Sequence, residues 1–509
     1  MDSGAKDTVV VPDGPDAVDQ LHRQILETVE AAITFVRTRT DSRSLLQFER
    51  AIWPSVLLVG RLLTALYLAV HREQRNVVPQ PGERVKEWFA RRTIKTFCGA
   101  VSYGRAYVLR KGGGWFPLDA ALGITQDGFS WRVVDVVTRL ATRVSYAAVR
   151  ELSISLIGWS PSVESIERLT IGLGSRASLF METQSGLRGD GEILIIETDG
   201  KAAPMVTEQE LKARRRKRTH PGGCRCRRHA GRHRRRKRGP KPRKTRGHNS
   251  KNGRSATLAV MYTLTKGSDG KLHGPIHKKV WGRFGRRKDM MEWIRDQALR
   301  RGFGPDSGKT VQIVVDGERC LRNDLQILFP KALFTLDVRH AQERLWKAGR
   351  QFHKDGSPEL SAWVEPLNRL LLDGKIAQLL DRLQQFHDRI PRHGPNTKLK
   401  RETLTEQLRY FTARQDMMNY GELRQQDLVL ATGVIEGACR HIIGDRLDCS
   451  GMRWTQEGAE AVLQLRCLDF NGDWDAFIAS LESLSTAELH AGRLPQLRST
   501  PRHHHNQAA

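Results

Sequence analysis

Two periodicities divide the chain. Apolar side chains recur every three or four positions in QLHRQILETVEAAITFV and SLLQFERAIW, which predicts helices across residues 15–75. The same spacing returns between 126 and 174. Between these stretches, the glycines and aromatic residues of TFCGAVSYGRAYVLRKGGGW (96–115) predict a short hairpin. The N-terminal third is therefore expected to be mainly α-helical.

Within the second helical stretch, SYAAVRELSISLIGWSPSVESIERLTIGLG has the outline of two helices joined by a turn that contains glycine. Ser160 or Ser162 would cap the second helix, at about 162–171, and Gly172 or Gly174 would lie past its end. A helix-turn-helix of this kind places its second helix in the major groove of DNA. An ordinary helical hairpin has the same outline, and the sequence leaves both interpretations open.

After residue 190 the pattern changes to the short apolar runs that are typical of strands. The runs are GEILIIETDG (191–200), SATLAVMYTLT (255–265), GPIHKKVWGRF (274–284), VQIVVDG (311–317) and ALFTLDV (332–338). Helical spacing follows the third and fourth runs, so the order is three strands, helix, strand, helix, strand. From 340 to about 430 the spacing is helical throughout. We therefore expect an α/β fold that carries an all-α insertion.

The charge balance narrows the class of partner. Lys and Arg number 84 against 56 Asp and Glu, which gives a formal net charge of +28. Between Lys212 and Arg254, 21 of 43 residues are Lys or Arg and none is acidic. Positive charge concentrated in this way implies a polyanionic partner, of which nucleic acid is the commonest.

Composition also bears on domain number and location. A length of 509 residues predicts two to four domains. The start of the chain does not resemble a secretory signal and the seven cysteines have no disulfide-like spacing, so we expect a cytoplasmic protein. The most apolar segment, PSVLLVGRLLTALYLAV (54–70), is short for a membrane span and contains Arg61, which favours a buried helix and no membrane partner.

The basic segment 212–254 has two interpretations. Cys224, Cys226, His229 and His233 are zinc-ligand residue types, but a C-x-C pair is tighter than usual and cationic surroundings oppose a dication. A flexible arm that follows the phosphates of DNA is favoured over a zinc site. The arginines assigned to DNA are Arg214, Arg215, Arg216, Arg234, Arg235 and Arg236.

Two of the predicted strands end in an Asp-Gly pair. Asp199-Gly200 closes IIETDG and Asp316-Gly317 closes IVVDG. Ligands of layered α/β sheets gather at the carboxyl ends of strands, where a carboxylate stays hydrated or metal-bound. An Asp-Gly pair also opens ordinary turns, which is the alternative for either position. The chemistry that needs such acids is phosphodiester cleavage with two Mg²⁺ ions, about 4 Å apart.

A third carboxylate is needed, and Glu436 in GVIEGACRH is the candidate. Gly433 and Gly437 flank it, and the helix that follows would present it towards the strand ends. A solvated helix acid fits the spacing equally well, and Asp337 is the next choice.

Several segments together resemble the RNase H-like DDE transposases of bacterial insertion sequences, most closely the ISKra-type family, which is related to Mutator-like transposases. They are ETDGKA, the basic C-x-C stretch, RSATLAVMYTL, HGPIHKKVWG, VQIVVDGERCL, LFPKALFTLDVRHAQERLW, TGVIEGACRHIIGDRLDCSGMRW and EGAEAVLQLR. The resemblance covers about 190–475 strongly and 90–175 more loosely. It implies a catalytic and metal-binding triad of Asp199, Asp316 and Glu436 that holds two Mg²⁺ or Mn²⁺ ions.

The resemblance adds residues near the triad. Asp337-Val-Arg-His340 resembles the acid-x-x-His motif of Mutator-like and hAT-like transposases, which implies that His340 is a further catalytic residue. The alternative is a histidine in the first turn of a helix that Asp337 caps. Trp346, Arg453 and Trp454 are candidates for DNA contact, the tryptophans by stacking on an unpaired base, although core packing is the commoner use of tryptophan.

These inferences predict an order of regions along the chain. A helical region at 1–90 precedes a DNA-binding region with the helix-turn-helix at 91–180. An RNase H-like, mixed-sheet catalytic domain follows at 190–340 and 431–480, with the basic arm at 212–254, the all-helical insertion at 341–430 and a disordered tail at 481–509.

The expected function is that of an insertion-sequence transposase. It would bind terminal inverted repeats, assemble as a homo-oligomer on DNA, and catalyse metal-dependent strand cleavage followed by strand transfer to target DNA. Two alternatives remain: another RNase H-like nuclease, and a domesticated, non-catalytic DNA-binding derivative of a transposase.

Overall fold

The computed structural model of the protein describes residues 8–38, 44–74, 77–111, 113–125, 127–183, 190–207, 209–211, 253–304, 306–449 and 451–490. Contacts group the chain into an N-terminal unit, Met1–Ser178 with Gly472–Ala509, and a central unit, Leu179–Asn471. Each unit contains helices and a β-sheet, so the fold is α/β with mixed sheets.

The N-terminal unit packs helices on a four-stranded sheet. Its strands are β1 (Val9–Val10), β2 (Arg84–Thr96), β3 (Gly99–Arg110) and β4 (Gly113–Trp115), in the order β1-β3-β2 with β4 paired to β3. The helices are α1 (Ala17–Thr38), α2 (Leu45–Gln74), α3 (Pro117–Ala121), α4 (Trp131–Ala141), α5 (Tyr146–Ile157) and α6 (Val163–Thr183). Leu21, Leu62 and Val101 are among the buried residues that join α1, α2 and β3 in one core.

The hairpin of this unit begins earlier than the sequence predicts. Strand β2 starts at Arg84, inside the region expected to be helical, and pairs antiparallel with β3 along most of its length. The alternation of apolar and polar residues that identifies a strand is hard to recognise here, because one inward position holds Arg92. Its guanidinium is neutralised by buried Asp119 at 2.7 Å. A polar side chain at a core position breaks the alternation that identifies a strand.

Helix α2 is longer and more exposed than expected. Leu62, Ala65 and Leu68 are buried, whereas Leu63 and Tyr67 are about half exposed, so the buried-helix prediction holds on one side only. In the described part of the chain, α2 is the single helix long and apolar enough to cross a membrane, and 17% of its most apolar window is buried. The prediction that this segment is too short for a span is wrong, because the helix extends well beyond 54–70.

The two helices predicted as a helix-turn-helix are present as α5 and α6. Gly158, with φ of 76°, ends α5, and the Ser162 hydroxyl accepts a hydrogen bond from Ser165 N at 3.1 Å, as expected of an N-cap. The predicted end is wrong, since Gly172 and Gly174 lie inside α6, which continues to Thr183. Both glycines are buried, and packing there outweighs their low helix propensity.

The central unit is built on a five-stranded mixed sheet. Its strands are β5 (Ile193–Pro204), β6 (Gly253–Lys266), β7 (Leu272–Arg283), β8 (Thr310–Val315) and β9 (Leu333–Leu336), in the order β7-β6-β5-β8-β9. The first three form an antiparallel meander, whereas β8 and β9 run parallel to β5. Helices α7 (Arg287–Arg300) and α8 (Arg319–Leu328) precede β8 and β9, which confirms the predicted order of strands and helices.

Helices alone occupy the stretch after β9 that was predicted to be an all-helical insertion. They are α9 (Val338–Gly349), α10 (Pro358–Leu372), α11 (Ile376–Asp388), α12 (Thr397–Thr412), a 3₁₀ turn (Gln415–Met417) and α13 (Tyr420–Gln425). Helix α14 (Gly433–Ala438) continues as a π-helical turn, Cys439–Gly444, and α15 (Gln456–Phe470) completes the unit.

The last described helix is α16 (Trp474–His490), which belongs to the N-terminal unit. The predicted disordered tail therefore starts too early, because 481–490 are helical. Residues 491–509 lie outside the described part of the chain.

Candidate active site

Three acidic residues, Asp199, Asp316 and Asp337, lie at the same height along three neighbouring strands. Asp199 and Asp316 each lie two residues beyond Glu197 and Val314, the last residues paired between parallel strands β5 and β8. In the same way, Asp316 and Asp337 each follow the last pair between β8 and β9 by one residue. The backbone N of Asp337 also donates to Val315 O at 2.8 Å. The strand register therefore brings together acids that are far apart in sequence.

Asp199 does not end its strand, contrary to the prediction. Strand β5 continues to Pro204 and stays paired with β6 up to the pair Pro204–Gly253. Only the pairing with β8 stops before the acid, at Glu197–Val314. Asp199 thus occupies an edge that opens because the neighbouring strand ends, and its Asp-Gly pair forms no turn.

Asp316 does occupy a turn. Its Oδ1 accepts a hydrogen bond from Glu318 N at 2.9 Å, and Gly317 has φ of 94°. Arg414, from the insertion, donates to Gly317 O at 2.6 Å, and a Cβ at position 317 would lie 2.6 Å from Arg414 Nε. Glycine is therefore required, both for the left-handed backbone and for this close approach. The turn interpretation is correct for Asp316, and it leaves the second carboxylate oxygen for other contacts.

Glu197 and Asp199 dock helix α14 along β5. Fully buried Glu197 accepts hydrogen bonds from the Tyr262 hydroxyl at 2.7 Å and from Ile435 N at 2.9 Å. Asp199, on the same face of the strand, accepts one from the thiol of Cys439. Two strand residues advance about 6.6 Å and four helical residues about 6.0 Å, so the two contacts match. The residue after Ile435 is Glu436, which is thereby carried to the acidic edge.

The segment that leads into α14 is fixed from a second side. Buried Gln312 of β8 donates to Val429 O at 2.6 Å and accepts from Val429 N at 3.1 Å. One residue further on, Leu430 O accepts from Val338 N at 2.9 Å. A buried amide with both of its groups hydrogen-bonded fixes a loop without an unpaired polar group. Glu436 is therefore positioned by contacts with β5, β8 and α9.

Buried Asp337 and partly exposed His340 form an ion pair at the start of α9. Asp337 caps the helix by accepting from Arg339 N at 2.8 Å, and its other oxygen accepts from His340 Nδ1 at 2.9 Å and from the Thr432 hydroxyl. The cap alternative is therefore correct, and the histidine still lies at the acidic edge. The hydrogen bond to Asp337 and its charge outweigh partial burial and raise the pKa of His340 to about 9. His340 is thus an imidazolium at neutral pH.

Burial and repulsion between like charges act on the pKa values of these acids. Burial raises the pKa of Glu197 to about 7, with a further rise from Asp337 and Glu436. Burial and the charge of Asp316 raise the pKa of Asp199 against hydrogen bonds from Gly200 N and Cys439. At Asp337 burial acts in the same direction, but the hydrogen bonds from His340 and Thr432 prevail and lower the pKa. Asp199 therefore lacks enough nearby positive charge to offset its desolvation.

The donor set suits a hard divalent cation. Ligand atoms of Asp337, His340 and Glu436 lie within 4.8 Å of one another. Asp337 accepts three hydrogen bonds and the pKa of His340 is raised, so each would have to give up a hydrogen bond or a proton to bind a cation. The side chain of Glu436, by contrast, is 40% exposed, and in the described part of the chain it contacts Thr432 at 3.3 Å and Arg339 at 3.9 Å. Carboxylate oxygens are the ligands that Mg²⁺ and Mn²⁺ prefer, but among the described residues no group of atoms within 4.8 Å of one another combines Glu436 with Asp199 and Asp316.

The candidate DNA-contacting residues differ in how far they are exposed in the structure. Trp346 is half-buried on α9, and Arg453 is exposed and paired with Glu210 at 2.9 Å. Trp454 is 6% exposed, donates to Leu447 O at 3.0 Å and lies under the guanidinium of Arg446 at 4.6 Å. Trp454 is therefore a core residue, and the prediction that it stacks on a base is wrong.

Most of the basic arm lies outside the described residues, which stop at 211 and resume at 253. Two predictions therefore lie outside the described residues. One is DNA contact by Arg214, Arg215, Arg216, Arg234, Arg235 and Arg236, and the other is the zinc alternative at Cys224, Cys226, His229 and His233. The described residues on either side belong to the sheet, since Pro204 and Gly253 are a register pair of β5 and β6.

Sequence reasoning missed Glu197 and Gln312. One feature of the sequence could have identified Glu197: it lies two positions before Asp199 in the same strand and therefore shares its face. Gln312 has no such feature, because a polar residue inside an apolar run does not reveal which loop it binds.

Comparison with known proteins adds no assignment to this geometry: the sequence matches no protein-family model and no curated protein.

Proposed function

We propose that the protein is an insertion-sequence transposase whose central unit is an RNase H-like domain. The observation that carries the proposal is the level shared by Asp199, Asp316 and Asp337, with Glu436 and His340 held against it. An antiparallel meander followed by two parallel strands, each reached through a helix, supports the RNase H-like assignment.

Asp199, Asp316 and Glu436 would hold two Mg²⁺ or Mn²⁺ ions. Bound there, the cations would supply Lewis-acid activation of water and charge neutralisation on a phosphodiester. The partial burial of Asp199 and its raised pKa support this role, since this carboxylate lacks enough nearby positive charge.

His340 contributes a fixed positive charge. Asp337 accepts the proton on Nδ1, so the N–H on Nε2 is the donor available to a nonbridging phosphate oxygen. The ring is held by the helix cap at Asp337, so its charge is in place before the substrate binds. We assign His340 to phosphate binding rather than to metal coordination.

The partners proposed are terminal inverted repeats and target DNA. Helix α6 would provide sequence contact and the basic arm would follow phosphates, while Trp346 and Arg453 would lie near the cleaved strand. A homo-oligomer on DNA, a cytoplasmic location and the absence of a membrane partner belong to the same proposal.

The test is a cleavage assay on a duplex that carries the inverted repeat of the element. Asp199→Ala, Asp316→Ala and Glu436→Ala should each abolish Mn²⁺-dependent strand cleavage and leave repeat binding nearly unchanged, because one ligand is lost but few phosphate contacts are. Glu318→Ala is the matched control, since this exposed acid lies two residues from Asp316 and pairs with Arg287 at 3.2 Å.

Each of the other possible outcomes would change either the assigned metal ligands or the proposed function. Wild-type cleavage by Glu436→Ala would move the third ligand to Asp337. Cleavage without strand transfer would identify another RNase H-like nuclease. A wild-type protein that binds the repeat but never cuts it would be a non-catalytic derivative.

A further inference from the structure

Strand β2 of the N-terminal unit exposes aromatic rings among cations. Trp88 is 55% exposed and Phe89 44% exposed, which is unusual for large apolar side chains on a sheet edge. Lys86 and Arg84 precede them on the same strand and are also exposed. Strand β2 ends the sheet order, so its outer edge is not covered by another strand among the described residues.

A cleft of about 500 Å³ opens beside the two rings. Its walls carry Arg72 and Asp13, and the guanidinium of Arg72 lies 5.5 Å from the centre of the Phe89 ring. Asp13 is held by ion pairs with Arg91 and, at 3.6 Å, with Arg72. Its Oδ1 is buried and accepts no hydrogen bond from the described residues. The cleft therefore offers a stacking surface beside the ion pair of Arg72 and Asp13.

This combination fits a nucleotide better than it fits another protein chain. Exposed aromatic rings bind unpaired bases by stacking, and neighbouring cations neutralise the phosphates. The volume of the cleft also lies within the range of small-ligand sites. A paired base cannot reach the rings, because its faces are already stacked.

We propose that this cleft binds an unpaired nucleotide of DNA, with the base stacked on Trp88 and Phe89. The inference rests on the proposed function, in which cutting and joining expose unpaired DNA. It assigns a single-strand site to residues of the N-terminal unit that belong neither to α6 nor to the segment 212–254. Arg84 and Lys86 would contact the adjoining phosphates.

The test measures affinity for an oligo-dA of about 12 nucleotides and for a duplex of the same length, by fluorescence anisotropy without metal. Moderately high salt would weaken the phosphate contacts of the arm. Trp88→Ala should raise the Kd for the single strand about tenfold and leave the Kd for the duplex unchanged. Trp88→Phe should restore most of the affinity, and Trp53→Ala is the control, being another exposed tryptophan of the same unit.

Three outcomes would overturn the inference. They are an unchanged single-strand Kd in Trp88→Ala, an equal loss for both DNAs, and a change in the sedimenting mass of the free protein, which would show that Trp88 joins two copies. Because no metal is present, none of these outcomes depends on cleavage. A protein that fails the cleavage assay but passes this one would refute the proposed function alone.

Discussion

At His340, the pKa of a single side chain predicts a pH dependence of stability. Its pKa is raised to about 9, chiefly by the hydrogen bond to Asp337, from an unfolded value near 6.5. The pair therefore stabilises the fold fully below about pH 6.5 and loses that contribution as pH rises through about 9. His340→Gln should accordingly be less stable than wild type at pH 6, and the difference should shrink by about 1 kcal/mol by pH 10. The estimate is small because the ring is 41% exposed and therefore screened.

Urea unfolding at several pH values measures this difference. His441→Gln is the control, since it removes an exposed histidine that pairs with Asp445 at 3.0 Å. A His340→Gln deficit that stays constant from pH 6 to pH 10 would show that His340 is neutral in the folded state.

The sequence identified some single residues and not others. Asp199, Asp316 and Glu436 could be selected because each stands beside a glycine at the edge of an apolar pattern. The strand register brings Asp199 level with Asp316, whereas Glu436 lies beside Asp337 and His340. Trp454 was misassigned because a tryptophan next to an arginine looks the same whether its ring is buried or exposed. Glu197 was overlooked because a buried carboxylate is expected only where partners satisfy it, and those partners, Tyr262 and Ile435, are remote in sequence.

At the scale of elements, the docking of α14 on β5 depends on one carboxylate. Glu197→Ala leaves Ile435 N and the Tyr262 hydroxyl without their partner and should cost on the order of 2 kcal/mol of stability. If the contact of Glu197 with α14 also positions Glu436, the Glu197→Ala variant should need more Mn²⁺ to reach half of its maximal cleavage rate. Glu197→Gln keeps an acceptor for Ile435 N, so it should restore most of both properties.

The matched control for Glu197→Ala is Tyr262→Phe, which removes only the hydrogen bond from the Tyr262 hydroxyl to Glu197. A Glu197→Ala protein that is less stable but has a wild-type Mn²⁺ requirement would mean that Glu197 supports the fold and does not position Glu436.

Elements were predicted with uneven success, for physical reasons. The strands and helices of the central unit follow clear periodicities, so their order could be derived. Strand β2 could not, because Arg92 occupies an inward position where Asp119 and the carbonyl oxygen of Thr125 satisfy its guanidinium. The length of β5 was also underestimated, since Gly200 and Pro204, which are typical of turns, conceal the continued pairing with β6.

At the scale of the whole molecule, the two units predict separable responses to metal. Scanning calorimetry should show two transitions, of which Mn²⁺ raises only that of the central unit, because a ligand stabilises the state that binds it. Asp316→Asn should abolish the rise. Asparagine keeps the acceptor for Glu318 N, so the turn is preserved, and removing a charge near Asp199 should leave the metal-free variant at least as stable as wild type.

Two results would contradict this prediction. If Asp316→Asn melts lower without metal and still responds fully to Mn²⁺, Asp316 serves the turn alone. If Mn²⁺ raises both transitions equally, its effect is not local to the acids.

The shared register of the acids has an evolutionary consequence. Asp199 and Asp316 are neighbours because β5 pairs with β8, and nothing in that pairing depends on how many residues intervene. Insertions and deletions between the strands are therefore nearly neutral for the site, which explains how a long basic segment can interrupt the sheet between β5 and β6. A one-residue insertion inside β5 or β8 would instead turn an acid to the opposite face. Natural variation in length should thus accumulate in the connections, while the strands keep a fixed residue count.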